Sequence, residues 1–208
     1  MIGLERILAW LRALASVFAQ AKGELTELDA AIGDADHGIN LDRGFSAVAA
    51  GLAANPPADV SAALKAAAMT LMRTVGGAAG PLYGTFFLRA STSCAGLERL
   101  SPADWVTAFC QGAEGVRQRG KAEPGEKTML DALLPAGQAM SEALQEGAGP
   151  AEILGRGERA AEAGMKATVP MRARKGRASY LGERSVGHQD PGATSAYLLI
   201  RAAASTLA

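Results

Sequence analysis

Apolar side chains in this chain recur mostly every third or fourth residue, which is the spacing of one face of an α-helix. The alternation of apolar and polar residues that indicates strands is scarce. Since this spacing decides which surfaces can be buried together, it predicts an all-α chain of amphipathic helices. In the first helix, one face consists of Leu4, Ile7, Leu8, Leu11, Leu14 and Phe18.

Glycine and proline residues divide the pattern into about eight helices with short connections. The first helix is expected to end near Gly23, and Asp59 and Ser101 carry the side chains of N-caps. Short connections make consecutive helices antiparallel neighbours, so we predict a bundle that forms a single domain of residues 1–208. Further helices are predicted over residues 40–51, 60–75, 102–119, 129–146, 150–167 and 193–207, and residues 85–94 fit a helix or a strand.

Composition and charge narrow the class of protein. Lys plus Arg and Asp plus Glu both number 21, so no surface for nucleic acid or an anionic membrane is expected. The first helix carries charged residues, among them Arg6 and Arg12, which argues against a signal peptide or a membrane span. Cys94 and Cys110 form no metal or redox motif and are expected to be reduced thiols. We therefore predict a cytoplasmic protein.

Four connections are unusually rich in glycine, proline and charge, and they begin at residues 29, 76, 120 and 176. In a bundle whose helices alternate in direction, every second connection lies at the same end. The first two of these connections are about two helices apart, and so are the second and third. We therefore expect several of them to meet at one end of the bundle and form a site.

The first connection crowds three carboxylates into eight positions, at Asp29, Asp34 and Asp36. Carboxylates held close together repel one another unless a cation neutralises them, and Mg²⁺ prefers such oxygen ligands. A solvated acidic turn in which Asp34 caps the next helix is the alternative. An EF-hand is excluded, because Gly38 and Phe45 stand where that loop needs ligands. His37 fits either a ligand contact or a structural hydrogen bond.

Two other segments suit the binding of phosphate. "GGAAGPLYG" (residues 76–84) offers backbone N–H groups to phosphate oxygens, or it forms a tight turn between helices. "RARKGRASYLGER" (residues 172–184) concentrates cations in a neutral chain, and arginine holds phosphate through paired hydrogen bonds. A solvated charged surface is the alternative for this second segment.

Four motifs in order resemble one family: "IGDADHGIN", "GGAAGPLYGTFF", "GKAEPGEKTMLDAL" and "RKGRASYLGERSVGHQDPGATS". Together they resemble the nucleotide-binding L subunit of bacterial dihydroxyacetone kinase, from the first helix to the last. The resemblance implies a closed barrel of about eight antiparallel amphipathic helices, with the nucleotide site in the loops at one end.

The resemblance also implies the residues of the site. Asp29, Asp34 and Asp36 match the positions that hold two Mg²⁺ ions, which bind the phosphates of ADP or ATP. Ala79 departs from the family, because a serine is expected there and its hydroxyl contact to phosphate is lost. The positions that match the surroundings of the nucleotide are His37, Gly38, Asn40, Ala79, Gly80, Gly120, Thr128, Met129, Arg177, Asp190 and Gly192.

The implied activity is phosphoryl transfer from Mg-bound ATP to dihydroxyacetone held on a separate K subunit. No residue of this sequence is a candidate base for the sugar hydroxyl, as expected if the sugar lies elsewhere. Since the sequence contains no K-like region, we expect the three-subunit version, in which an M subunit of the phosphotransferase system rephosphorylates bound ADP. The alternatives are a subunit that exchanges free ATP, and a nucleotide-dependent regulator that docks on a transcription factor.

Overall fold

The computed structural model describes residues 1–208, which form eight α-helices. Two strands of two residues each, β1 (Ile2–Gly3) and β2 (Arg99–Leu100), pair antiparallel, and a 3₁₀ segment covers Arg177–Ser185. The helices are α1 (Leu4–Ile32), α2 (His37–Ala54), α3 (Val60–Thr74), α4 (Ala79–Ser93), α5 (Pro102–Gly120), α6 (Leu130–Gln145), α7 (Pro150–Ala167) and α8 (Pro191–Leu207).

The helices form a closed ring. Each helix packs on the next one along the chain, and α8 packs on α1. The predicted all-α barrel of eight antiparallel helices is therefore confirmed. Because the helices alternate in direction, every second connection lies at the same end of the barrel, and the connections of one end cover residues 33–36, 75–78, 121–129 and 168–190.

Side chains fill the inside of the barrel. Fifty buried apolar residues form one continuous core. Although aromatic residues make up only 5% of the sequence, several of them contact one another inside the ring. The rings of Phe18 and Phe45 stack with their centroids 4.5 Å apart, and Trp10 meets Trp105 edge to face at 5.2 Å. This packed interior gives the connecting loops a rigid support.

Both predicted N-caps are confirmed. The Asp59 carboxylate accepts a hydrogen bond from the backbone N–H of Ala62 at 2.7 Å. Ser101 and Asp104 form a reciprocal capping box at the start of α5. These contacts satisfy N–H groups that have no partner inside the helix, and they are local enough to be read from sequence.

The predicted end of α1 at Gly23 is wrong, because the helix continues to Ile32. Phe18 and Leu25 are both fully buried on either side of Gly23. Burial of such side chains contributes more than the ~1 kcal/mol that a glycine costs inside a helix. Asp29 consequently lies in the last turn of α1 and not in a loop, and α2 begins at His37 rather than at residue 40.

The segment 76–84 is a loop only as far as residue 78, because α4 begins at Ala79. A Cβ atom on Gly80 would lie 2.3 Å from the carbonyl oxygen of Val75, and one on Gly84 would lie 2.3 Å from Met72 Cγ. These glycines therefore allow α3 and α4 to approach closely, and they do not break the helix. Residues 85–94 are part of the same helix up to Ser93.

Both cysteines are free thiols, as expected from their spacing. Burial raises the pKa of Cys94 to about 11, so its thiol stays protonated at neutral pH. None of the eight helices combines the length and the apolar character that a membrane-crossing helix needs.

Candidate functional site

A cavity of about 490 Å³ opens at the end of the barrel where the four glycine-rich connections meet. Its lining includes Asp34 from the first connection, Gly76 from the second, Thr128 from the third and Arg177 from the fourth. The four segments singled out in the sequence therefore converge on one site. Four helices, α2, α4, α6 and α8, also begin at this cavity, and helix N-termini attract anions.

The three aspartates come together at one edge of the cavity. One carboxylate oxygen from each of Asp29, Asp34 and Asp36 lies within 4.8 Å of the others. Asp29 is buried, and its Oδ2 accepts hydrogen bonds from the backbone N–H groups of Asp36 (2.9 Å) and His37 (3.1 Å). Ala35 adopts a left-handed φ of 61°, a strained conformation that reverses the chain between Asp34 and Asp36.

This set of donors fits a hard divalent cation. All three side chains offer carboxylate oxygens, which are the ligands that Mg²⁺ prefers. The Arg177 guanidinium already pairs with the cluster, because its Nε lies 2.8 Å from Asp34 Oδ2. A cationic side chain from the basic loop, far along the chain, therefore already lies against these carboxylates. The alternative interpretation, in which Asp34 caps α2, does not hold, since Asp36 occupies the N-cap position without a side-chain hydrogen bond.

His37 is held at the cavity by a network of hydroxyl groups. Its Nε2 lies 2.9 Å from Ser195 Oγ. The Tyr83 hydroxyl donates to the same Oγ at 2.7 Å, and Ser195 donates to the Gly192 carbonyl at 2.9 Å. Burial lowers the pKa of His37, against the opposing effects of Asp29 and Asp36. Sequence reasoning missed Ser195 and Tyr83, although both stand in the quoted motifs.

The connection between α5 and α6 is ordered by Asp131. Its carboxylate accepts hydrogen bonds from the backbone N–H groups of Thr128 (2.7 Å) and Gly125 (2.5 Å). Lys127, between these two residues, lines the cavity but turns its ammonium toward backbone carbonyls. Neither Asp131 nor Lys127 was singled out from the sequence, although both stand in the quoted motif "GKAEPGEKTMLDAL".

Asp190 lies at the start of α8, where its Oδ2 accepts a hydrogen bond from the Ala193 N–H at 2.7 Å. Burial raises the pKa of this carboxyl to about 7. The negative charges of Asp131 and Asp29 act in the same direction, and Lys127 opposes them. The group is thus poised to gain or lose a proton near neutral pH.

The cavity also carries cationic residues. Lys175 and Arg177, from the basic segment singled out in the sequence, line it together with Arg119, which the sequence analysis did not place there. The lining therefore combines three converging carboxylates with several cationic side chains. Such a combination suits a ligand that carries phosphate groups and a divalent cation together.

Twelve of the fourteen site residues named from the sequence line the cavity. Gly38 and Gly80 do not. A Cβ atom on Gly38 would lie 2.1 Å from the carbonyl oxygen of Lys22, so this glycine lets α2 pack closely on α1. The residues in the lining are Asp29, Asp34, Asp36, His37, Asn40, Ala79, Gly120, Thr128, Met129, Arg177, Asp190 and Gly192.

Comparison with known proteins gives relatives along most of the chain. Residues 31–205 match the family model of the DAK2 domain. The ADP-binding subunit of the PEP-dependent dihydroxyacetone kinase of Escherichia coli is 44% identical over 196 residues, which cover 94% of this chain and 93% of that protein. The ADP-binding subunit of the PTS-dependent dihydroxyacetone kinase of Lactococcus lactis is 41% identical, with 95% of each chain covered. Human triokinase/FMN cyclase is 35% identical over 95% of this chain and 34% of the human protein.

The fold is shared with the dihydroxyacetone kinase of C. freundii, with a TM-score of 0.75 at 22% identity over 96% of this chain and 34% of that chain. The complex of the C. freundii kinase with AMP-PNP and Mg²⁺ gives a TM-score of 0.72 over 96% of this chain and 33% of that chain. At this identity the structural likeness shows the fold alone. The named relatives are kinases or kinase subunits, in agreement with the predicted phosphotransferase class. The match over residues 31–205 and the similarity to the E. coli subunit show that this chain belongs to the DAK2 domain family.

Proposed function

We propose that this chain is the ADP/ATP-binding subunit of a dihydroxyacetone kinase. The observation that carries the proposal is the cavity in which Asp29, Asp34 and Asp36 converge. Arg119 from the end of α5 and Arg177 from the connection before α8 line the same cavity. Four helix N-termini add their partial positive charge, which favours phosphate groups. The relatives that span the whole chain are named as ADP-binding subunits of such kinases.

In this proposal the three aspartates hold two Mg²⁺ ions, which when bound neutralise the phosphates of the nucleotide. Asp29 is oriented for this role by the hydrogen bonds that it accepts from the backbone N–H groups of Asp36 and His37. Arg177, which lies beside Asp34, contacts the phosphates as well. Ala79 offers no hydroxyl, so the N-terminal backbone of α4 makes the contact with the phosphates there.

The chain's own groups position the nucleotide, and phosphoryl transfer needs little beyond positioning and charge stabilisation. The dihydroxyacetone is held by a separate K subunit that covers the mouth of the cavity. Tyr180 supports docking at this face: it lies in the loop of Arg177 and is 88% exposed. Exposed tyrosines are frequent anchors of protein interfaces.

The proposal includes retention of ADP, which an M subunit of the phosphotransferase system rephosphorylates in place. The names of the E. coli and L. lactis relatives, PEP-dependent and PTS-dependent, support it. Exchange of free ATP is the second candidate. Human triokinase/FMN cyclase contains a matching segment, and its name mentions neither PEP nor the PTS. Turnover with the K subunit that needs phosphoenolpyruvate and the upstream carriers favours retention, and turnover with ATP alone favours exchange.

The exposed face around Tyr180 is equally available to a transcription regulator, the further partner named from the sequence. Pull-down of the purified chain with the K subunit and with the regulator, each with and without Mg-ADP, separates the two roles.

The first test is the content of the purified protein. The chain is purified without added nucleotide and denatured, and the supernatant is assayed for ADP and magnesium. About one ADP and about two Mg²⁺ per chain are expected for a retained cofactor in a two-metal site. A protein that arrives empty and binds Mg-ATP reversibly would support exchange, whereas one that binds no nucleotide would contradict the proposed function.

A further inference from the structure

Lys127 is the most deeply buried cation of the molecule, with 1% of its surface exposed. Its ammonium donates to three backbone carbonyls, those of Ser185 (2.6 Å), Met171 (3.1 Å) and Val169 (3.5 Å). Lys127 itself adopts a left-handed φ of 62°, which L side chains rarely do. A strained backbone that aims a buried charge at three carbonyls indicates a residue with a specific task.

The three carbonyls belong to one closed loop, which covers residues 169–187. The backbone N–H of Gly187 donates to the Val169 carbonyl at 2.8 Å and joins the two ends. Inside the loop, the N–H of Ala173 donates to Ser185 Oγ at 2.9 Å. The ammonium of Lys127 thus donates hydrogen bonds to both ends of the loop, close to the contact that closes it.

A second contact comes from the residue next to Lys127. The N–H of Arg174 donates to the carbonyl of Glu126 at 3.1 Å. The connection between α5 and α6 therefore holds the loop 169–187 at two adjacent residues, once through a backbone carbonyl and once through a buried charge.

This loop carries Arg177, whose Nε lies 2.8 Å from Asp34 Oδ2 at the edge of the cavity. The loop has few apolar anchors of its own: Ala173 and Ala178 are buried in a small cluster with Ile32, and Leu181 packs on that cluster while remaining partly exposed. The position of Arg177 over the aspartates consequently depends on the polar contacts that fix the loop, and the bond from Lys127 to the Ser185 carbonyl is one of the buried ones.

Direct contact between Lys127 and a phosphate does not fit the geometry. An ammonium has three N–H donors, and the three carbonyls account for all of them. Lys127 lines the cavity with the remainder of its side chain. We propose that Lys127 is a positioning residue, which acts through the loop 169–187 to hold Arg177 over the acidic cluster and the nucleotide phosphates. This inference rests on the proposed function for its effect on nucleotide binding.

Lys127→Met tests the proposal, because methionine keeps most of the stem and removes the donors. Lys65→Met, on the exposed side of α3, is the matched control. Hydrogen exchange followed by mass spectrometry is expected to show faster exchange of residues 169–187 in Lys127→Met, with α1 to α5 unchanged. The control is expected to match the natural protein everywhere.

A double-mutant cycle with Arg177→Ala gives the decisive readout, because a merely structural role would not couple the two residues. Each single variant is expected to bind Mg-ADP about tenfold more weakly, as for loss of a hydrogen bond to a charged group. If Lys127 acts through Arg177, the double variant binds within about threefold of Arg177→Ala. Independent effects that multiply would overturn the proposal, and so would unchanged exchange in residues 169–187.

Lys127→Gln keeps the proposal testable if Lys127→Met does not fold. Its neutral amide can donate to at most two of the three carbonyls, so the same pattern of exchange and the same coupling to Arg177 are expected. Should the natural protein bind no Mg-ADP, the proposed function fails, while the exchange measurement still decides whether Lys127 orders the loop.

Discussion

Arg177 Nε lies 2.8 Å from Asp34 Oδ2, and this ion pair joins the basic loop before α8 to the acidic turn after α1. Both side chains remain partly exposed, so the pair contributes little to folding stability. Its importance lies in location, because it brings a cation onto the edge of the aspartate cluster. A divalent cation bound by the aspartates would compete with Arg177 for the same carboxylate.

Asp34→Ala is expected to abolish retention of Mg-nucleotide and to leave the fold intact. The variant removes one of three converging carboxylates and breaks only a partly exposed ion pair. Isothermal titration with Mg-ADP measures binding, and circular dichroism measures the fold. Asp42→Ala is the control, since that carboxylate pairs with Lys22 outside the cavity lining. Normal ADP content in Asp34→Ala would refute the role of the cluster.

Arg177→Ala is expected to weaken binding of Mg-ADP about tenfold, because a charged hydrogen bond to phosphate is lost. The free energy of unfolding without ligand should change by less than about 1 kcal/mol, which is the contribution of an exposed ion pair. Titration calorimetry and thermal unfolding of the same preparation compare the two. A collapse of stability without ligand would instead mean that Arg177 is structural.

Gly38→Ala and Gly23→Ala should change stability in opposite directions. A Cβ atom on Gly38 meets the Lys22 carbonyl at 2.1 Å, whereas one on Gly23 meets nothing within 4 Å. Gly38→Ala should lose about 2 kcal/mol through overpacking, and Gly23→Ala should gain about 0.5–1 kcal/mol inside a helix. Urea unfolding measures both values. Equal stability of the two variants would contradict the helix contact assigned to Gly38.

The pH dependence of stability should contain a contribution from Asp190, whose pKa burial raises to about 7. Between the unfolded pKa of about 3.9 and this value, the folded state holds a proton that the unfolded state has lost. Asp190 therefore lowers the free energy of unfolding as pH rises through that window, by about 1.4 kcal/mol for each pKa unit between the states.

Asp190→Asn removes this contribution and keeps a side-chain oxygen for the Ala193 N–H. Urea unfolding of the nucleotide-free protein at several pH values measures the difference between the two proteins. The natural protein should lose stability relative to the variant from pH 4 to pH 7. Parallel curves across this range would contradict the raised pKa of Asp190.

Tyr180→Ala should separate docking of the partner from nucleotide binding. The side chain is 88% exposed and does not line the cavity, so the affinity for Mg-ADP should stay unchanged. Loss of an interface anchor should lower phosphoryl transfer with the K subunit at least about fivefold. A coupled assay with varied K subunit measures this effect. Tyr197→Ala, in α8, serves as an aromatic control outside the loop.

Helix number and N-caps could be predicted from the sequence because their causes are local. Apolar spacing decides which face of a helix is buried, and the side chains of Asp59 and Ser101 satisfy N–H groups within a few residues. The glycines at 23 and 80 were misinterpreted as helix breakers. Whether a glycine ends a helix or admits a neighbour depends on the partner that packs there, and the partner is not part of the local sequence.

The sequence by itself determined that the chain is all-α, that its chemistry lies in four glycine-rich connections, and which residues to expect at the site. Alternation of helix direction was enough to bring these connections to one end. Only the tertiary structure decided that Arg177 meets Asp34, that Lys127 bonds to the loop 169–187, and that Ser195 holds His37. These partners lie far apart along the chain. The closed ring packs α8 and its preceding loop against α1, and it brings the connection between α5 and α6 to the same cavity.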